Sequence, residues 1–353
     1  MSEKNEIGSF FHNPESSNLI KLDINDFISN YQLFYTGRQA IKYLIDMLSL
    51  NQKVDTIWLP KYYCQHVTAW LKENYSNIAV YDINPFETNE KLDESFYAKF
   101  GSNDIVVLNN FWGLSDYIIP CLKNRALFIE DHSHGWLSPN CINSNADYCF
   151  ASLRKTLPIP LGGICWKPNG VVELIDDLQI VDSDFYVKWD DNVEAMSLKK
   201  DYLLGDNDSS KEKFLSLITD TEKYLHNHYQ IVTLKKEHKS IVEKYLSFDY
   251  NKPKRNNLDI LVLNLIKTEN FKVIEKGDIA SFGLNLIFKD KEYFNSLKMY
   301  LISNAIYPSE LWPDNVLTSD YKYLLNIHID FRYSEKQMVQ IFTVINKWIT
   351  DNV

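Results

Sequence analysis

A chain of 353 residues has room for one large domain and a smaller one. Its 45% hydrophobic and 14% aromatic content exclude a disordered polymer. The net charge of −10 argues against a nucleic-acid binder, which needs a basic surface, but leaves room for one small basic pocket.

No apolar run approaches the length of about 18 residues that a membrane span needs. The opening stretch 1–15 has neither the charged nor the apolar region of a signal peptide, so a cytoplasmic setting is expected. Cys64, Cys121, Cys141, Cys149 and Cys165 are scattered without a CxxC pair, which suggests reduced thiols and no structural zinc. His226 and His228 lie in a helical stretch and read as surface, with no metal.

Residues 1–35 form an entry segment carrying Gly8-Ser9-Phe10-Phe11 and Leu33-Phe34-Tyr35. Thr36-Gly37-Arg38-Gln39 then opens a helix through Ala40, Ile41, Leu44, Met47 and Leu48, with Thr36 as its cap. Free N–H groups at such a start, with Arg38 beside them, make an anion site. Taken alone, the same residues are an ordinary capped helix. Thr56 to Leu59 reads as a strand ended by Pro60, and 64–75 as a helix. Ile78–Tyr81, Ile105–Leu108 and Ala126–Ile129 read as further strands, the last running into Glu130-Asp131-His132-Ser133-His134-Gly135. Tyr148–Ala151 is a short apolar strand that delivers Ser152-Leu153-Arg154-Lys155 at its carboxyl end. Pro158 and Pro160 forbid a helix there, and Gly162-Gly163 allow close backbone approach before a strand to Trp166. This rhythm predicts an α/β fold with a mostly parallel, doubly wound sheet.

The acidic stretch within 170–207 matches no calcium loop and reads as solvated surface. Ser209 to Leu246 reads as one long helix or a kinked pair, and Pro253 to Asn257 as a break. Leu258–Leu265 and Ser281–Phe288 read as strands, 290–303 and 334–349 as helices. The division expected is a large domain over 1–247 and a smaller α+β domain over 248–353.

The carboxyl ends of parallel strands lie on one edge of a sheet, beside helix amino ends. That edge would gather the anion site at 36–39, the acid Asp131, the imidazoles of His132 and His134, and the amine of Lys155. A lone lysine beside a turn is ordinarily a solvated charge, so its company decides the reading. An aldehyde cofactor with a phosphate tail and a pyridine ring needs this set: an amine, a helix start, and a carboxylate for the ring nitrogen. Tyr62, Tyr63, Phe111 and Trp112 are aromatic residues at strand ends available to stack on the ring.

Thr36-Gly37-Arg38-Gln39-Ala40, Glu130 to Gly135, and Ser152 to Pro158 followed by Gly162-Gly163 together resemble the DegT/DnrJ/EryC1/StrS family. Its members are fold-type-I, pyridoxal-phosphate-dependent enzymes, mostly aminotransferases acting on nucleotide-linked keto-sugars. The resemblance spans nearly the whole chain, since Tyr307-Pro308 to Trp312-Pro313 looks like the family's substrate-side segment. It implies that Lys155 forms the Schiff base, Asp131 pairs with the pyridine nitrogen, and His134 contacts the phenolic oxygen. Gly37, Arg38, Gln39 and Ser152 would hold the phosphate, and Tyr63 would stack on the ring. Phe10, Trp112, Tyr307 and Trp312 would shape the substrate pocket.

The same resemblance implies an amino-acid donor, commonly glutamate, a keto-sugar acceptor and a homodimer. Three departures stand out. Ser152 lies three residues before the lysine where many relatives have five. The stacking position aligns with Cys64 rather than Tyr63, and no Asn-bearing loop for the partner subunit is visible in 185–200. Relatives that dehydrate sugars replace the lysine with histidine, which Lys155 speaks against. A non-catalytic sugar-binding protein on the same scaffold is the alternative.

Overall fold

A computed structural model describes residues 4–8, 10–12, 19–87, 91–205, 209–313, 317 and 319–352. Ser9 of the entry motif lies outside them.

The first half alternates as the sequence predicts. A short strand β1 (Ile20–Lys21) precedes β2 (Tyr31–Phe34), α1 (Gly37–Asn51), β3 (Ile57–Pro60), α2 (Gln65–Asn74) and β4 (Ile78–Tyr81). Then come α3 (Glu94–Tyr97), β5 (Ile105–Asn109), β6 (Leu127–Asp131), α4 (Pro139–Ile142), β7 (Tyr148–Ser152) and β8 (Gly163–Trp166). Strands β2 to β8 form a seven-stranded sheet in the order β2-β8-β7-β6-β5-β3-β4. The pairs from β4 across to β7 are parallel; only β8 runs against its neighbours β7 and β2.

Strand β5 shows why these segments read as unbroken apolar runs. Val106 and Leu108 pack into one core cluster and Ile105 and Val107 into another, so the sheet is covered on both faces. Helix α1 lies on the second face through Ala40, Ile41, Leu44 and Leu48, the spacing of a buried helical stripe.

The second half departs from the sequence reading in three places. The unassigned region holds a helix, α5 (Ser183–Leu204), whereas the stretch to 246 is a pair of helices, one of the two forms expected, α6 (Ser210–Asn227) and α7 (Lys236–Leu246). Asp182 and His228 are no solvated surface: Asp182 caps α5 by accepting from the backbone N–H groups of Asp184 and Phe185, and pairs with His228 at 2.9 Å. Past the strand β9 (Phe248–Asp249), which pairs with β1, residues 258–264 lie in a helix, α8 (Asn251–Asn264), and not in a strand. Leu258 and Leu261, three apart, are its buried apolar positions while Leu263 is exposed, so only one face is apolar. Pro253 is tolerated because first-turn N–H groups have no partner within a helix.

A second sheet follows. Strands β10 (Lys272–Ile274) and β11 (Leu284–Phe288), helix α9 (Lys291–Ser303), strands β12 (Ser309–Glu310) and β13 (Tyr323–Ile327), and helix α10 (Glu335–Asp351) complete the chain. The order is β10-β11-β13-β12, antiparallel throughout. It has its own core with α8, α9 and α10, which Ile7 of the entry segment joins.

The placement of α1 on the large sheet rests on one tight approach. A Cβ on Gly163 would sit 2.2 Å from the carbonyl oxygen of Thr36, and one on Gly37 would sit 2.9 Å from Cβ of Ser152. Backbone cannot yield as a flexible side chain does. Gly163→Ala is therefore expected to cost about 2 kcal/mol or more in chemical denaturation. Gly101→Ala, whose nearest neighbour is an Asp104 carboxylate oxygen at an ordinary 3.5 Å, serves as the tolerated control.

Candidate active site

The approach of α1 to the ends of β7 and β8 creates a cavity of about 70 Å³. Thr36, Gly37, Arg38, Asp131, Ser133, Ser152, Arg154 and Lys155 line it. The Thr36 hydroxyl accepts from the Gln39 N–H at 3.2 Å, leaving the earlier N–H groups of the turn without a partner inside the helix. Nη1 of Arg38 is buried without a hydrogen-bond partner, and its Nη2 lies 3.8 Å from Glu222 of α6. Glu222 also pairs with Arg154, so one carboxylate serves two guanidinium groups. A helix start, an unbonded buried guanidinium nitrogen and two serines suit a phosphate group.

Asp131 ends β6, where the sheet delivers it to this cavity. One carboxylate oxygen accepts from the Tyr63 hydroxyl at 2.5 Å, the other from the Ser133 N–H at 2.8 Å. Each oxygen keeps a further lone pair for a ligand. Burial, and then Asp131, push the Tyr63 phenol well above its ordinary range, so it remains the donor. The Ser133 hydroxyl in turn accepts from the Ser152 N–H at 2.8 Å, tying the two strand ends together.

Lys155 stands where this cavity meets a larger one of about 400 Å³. Its Nζ is 3.3 Å from Nε2 of His134. The His134 ring stacks on Phe282 at 4.3 Å and lies near-parallel to Trp112 and Trp312 at 5.5 and 5.2 Å. Burial, with Lys155 second, holds the His134 imidazole far below its ordinary pKa, so it faces the lysine neutral. His328, also on the larger cavity, is held down to about 3 by burial, against the pull of Asp330.

The residues chosen from the sequence fall into two groups. Gly37, Arg38, Asp131, Ser152 and Lys155 meet at the small cavity, and His134, Lys155, Phe10 and Trp312 at the large one. The others lie elsewhere. Gln39 turns its amide away, donating to the Gln230 carbonyl at 3.1 Å. Tyr63 is buried behind Asp131, and Cys64 lines the cavities in its place. Trp112 is fully buried behind His134, and Tyr307 lies outside the cavity with its hydroxyl 3.5 Å from Lys211. His132 points away from both cavities: its Nε2 lies 3.0 Å from Glu130 and its Nδ1 accepts from Asn110 at 3.1 Å.

Sequence reasoning missed Arg154, Glu222, Phe282, Ser309 and His328. Arg154 stood in plain view beside Lys155, and Ser309 inside the segment from Tyr307 to Pro313; the other three come from distant segments with no local signal.

Neither a protein-family model nor a curated protein sequence matches the chain. Solved structures do. Spr1654 of Streptococcus pneumoniae, described as a sugar aminotransferase in its PLP form, aligns with a TM-score of 0.62 at 10% identity, covering 99% of this chain and 100% of that one. The sugar aminotransferase CalS13 of Micromonospora echinospora gives 0.55 at 14%, over 92% and 89%. DesV of S. venezuelae gives 0.56 at 11%, over 95% and 91%. The chain has their fold, the fold-type-I architecture expected from the sequence.

The neutral histidines have a consequence for stability. Below a pH of about 6.5 the unfolded chain takes up protons that folded His134 and His328 refuse, so stability falls as pH drops. Denaturant titrations at stepped pH are expected to show this slope. A midpoint unchanged down to about pH 5 would contradict it.

Proposed function

We propose that the chain is a pyridoxal-phosphate-dependent aminotransferase that moves an amino group from glutamate to a keto-sugar. The observation that carries this is the position of Lys155. Its amine stands between a small cavity that holds both the anion site and Asp131 and a cavity large enough for a sugar ring, 3.3 Å from a neutral histidine. The shared fold with proteins described as sugar aminotransferases supports the reading. A nucleotide on the sugar, a homodimer and a cytoplasmic setting belong to the same proposal.

Pyridoxal phosphate, when bound, supplies an aldehyde that condenses with primary amines and a ring that takes up the electron pair left when a proton departs. The first turn of α1, Arg38 and Ser152 would bind its phosphate. Asp131 would accept a hydrogen bond from the protonated ring nitrogen, with Tyr63 and the Ser133 N–H fixing the carboxylate from behind. Lys155 would provide the covalent anchor and, once free, its neutral amine would be the base that takes up and returns the substrate's proton. Neutral His134 accepts a hydrogen bond from that amine and, packed against Phe282, keeps it aimed. Phe10, Phe11, Phe282 and Trp312 give the larger cavity an aromatic lining that excludes water and suits the C–H face of a sugar ring.

The absorption spectrum tests this directly. Protein soaked with pyridoxal phosphate is expected to show a visible band that survives dialysis and shifts when glutamate is added. Lys155→Ala should lose the dialysis-stable band and all turnover while keeping a wild-type circular dichroism spectrum. Asp131→Asn should lower the rate by about 100-fold or more, because the ring nitrogen loses its partner. A wild-type protein that stays colourless after soaking would favour the non-catalytic sugar-binding alternative.

A further inference from the structure

On the wall that comes from the second sheet, the larger cavity is lined by two polar features, Glu310, which pairs with Lys298, and a neighbouring serine–histidine pair. Ser309 lies in β12, and His328 follows β13. Both line the cavity, and Oγ of Ser309 is 3.2 Å from Nε2 of His328. Pairing of Ser309 with Asn326 in the β12–β13 ladder fixes the spot, and the buried side chain of Asn326 donates to Asn285 on β11 at 2.8 Å.

We propose that Ser309 and His328 are specificity-determining residues that bind a ring hydroxyl of the sugar acceptor, at a distance from the carbon that receives nitrogen. This rests on the aminotransferase reading above. Three observations carry it. A buried histidine whose hydrogen bond goes to a cavity-lining hydroxyl supports no backbone group, so packing alone would be served better by an apolar side chain. The surrounding wall is aromatic, with Phe282 edge-on to the His328 ring at 5.7 Å and Trp312 and Phe10 nearby on the cavity lining. Aromatic faces beside a fixed donor–acceptor pair match a ring with an apolar C–H face and a hydroxyl edge. Finally, His328 stays neutral through the ordinary pH range, so the pair offers both a donor and an acceptor but no charge. A hydroxyl, which both donates and accepts, is the group that suits it; a carboxylate or phosphate is not.

The test separates the two halves of the reaction in the loaded full-length protein. The probes are L-glutamate, followed by the spectral shift, and then nucleoside-diphosphate-linked keto-hexoses with their ring-deoxy analogues. In Ser309→Ala/His328→Phe the glutamate step should stay within about twofold of wild type, while kcat/KM for the best keto-hexose falls about 20-fold, mainly through KM. The decisive readout is discrimination: wild type should prefer one hydroxylated probe over its deoxy analogue, and the double variant should not. His328→Gln, which keeps a donor and an acceptor, should restore part of the preference. Equal preference in wild type and double variant overturns this inference alone, as does a matching loss in the glutamate step. A wild-type protein that reacts with glutamate but aminates no keto-hexose overturns the sugar reading, and this inference with it.

Discussion

The structure depends on how closely the start of α1 lies against the ends of β7 and β8. Two glycines at that contact, Gly37 and Gly163, occupy places where a side chain would meet backbone. Because of that approach, the unpaired N–H groups of a helix start lie beside the strand that delivers Lys155. Parallel order does the rest. It brings the last residues of β6 and β7 to the same edge, so Asp131 and Ser152 face one cavity although twenty-one positions separate them in sequence.

His134 is where the two sheets communicate. It leaves the large sheet just after β6, yet it is packed by Phe282 and Trp312 from the other half of the chain. Trp112 makes this possible. Its backbone adopts a left-handed φ of 59°, and its carbonyl accepts from the Phe282 N–H at 2.7 Å. A left-handed tryptophan is unfavourable in isolation, and it persists here where the Phe282 N–H and the rings of His134 and Trp312 hold it. The imidazole beside Lys155 is thus held by hydrogen bonding on one side and by stacked rings on the others.

Much of the edge was legible because parallel strands and their turns have local signatures. Asp131 and Lys155 each end or follow a short apolar run, and Thr36 is a recognisable cap. Side-chain direction was less legible. His132 and His134 differ by two positions, yet Glu130 draws one away from the cavity while Lys155 faces the other. Tyr63 looked like a ring-stacking residue, but burial and a carboxylate acceptor put it behind Asp131 and left Cys64 at the lining. Residues 258–264 misled because Leu, Ile and Val in succession read as a strand, whereas packing used only one face of a helix. Nothing local connects Glu222, Phe282 or His328 to Lys155; only the folded chain does.

Glu222 gives the anion site an unusual starting condition. Its carboxylate lies between Arg38 and Arg154; burial alone would raise its pKa, but Arg154 and then Arg38 outweigh that and hold it below the usual carboxylate range. An incoming phosphate or carboxylate therefore does not simply fall toward bare positive charge. It enters an ion-exchange equilibrium with an anion that the protein already carries, tethered on α6. Selectivity at such a site would follow shape and valence more than net attraction.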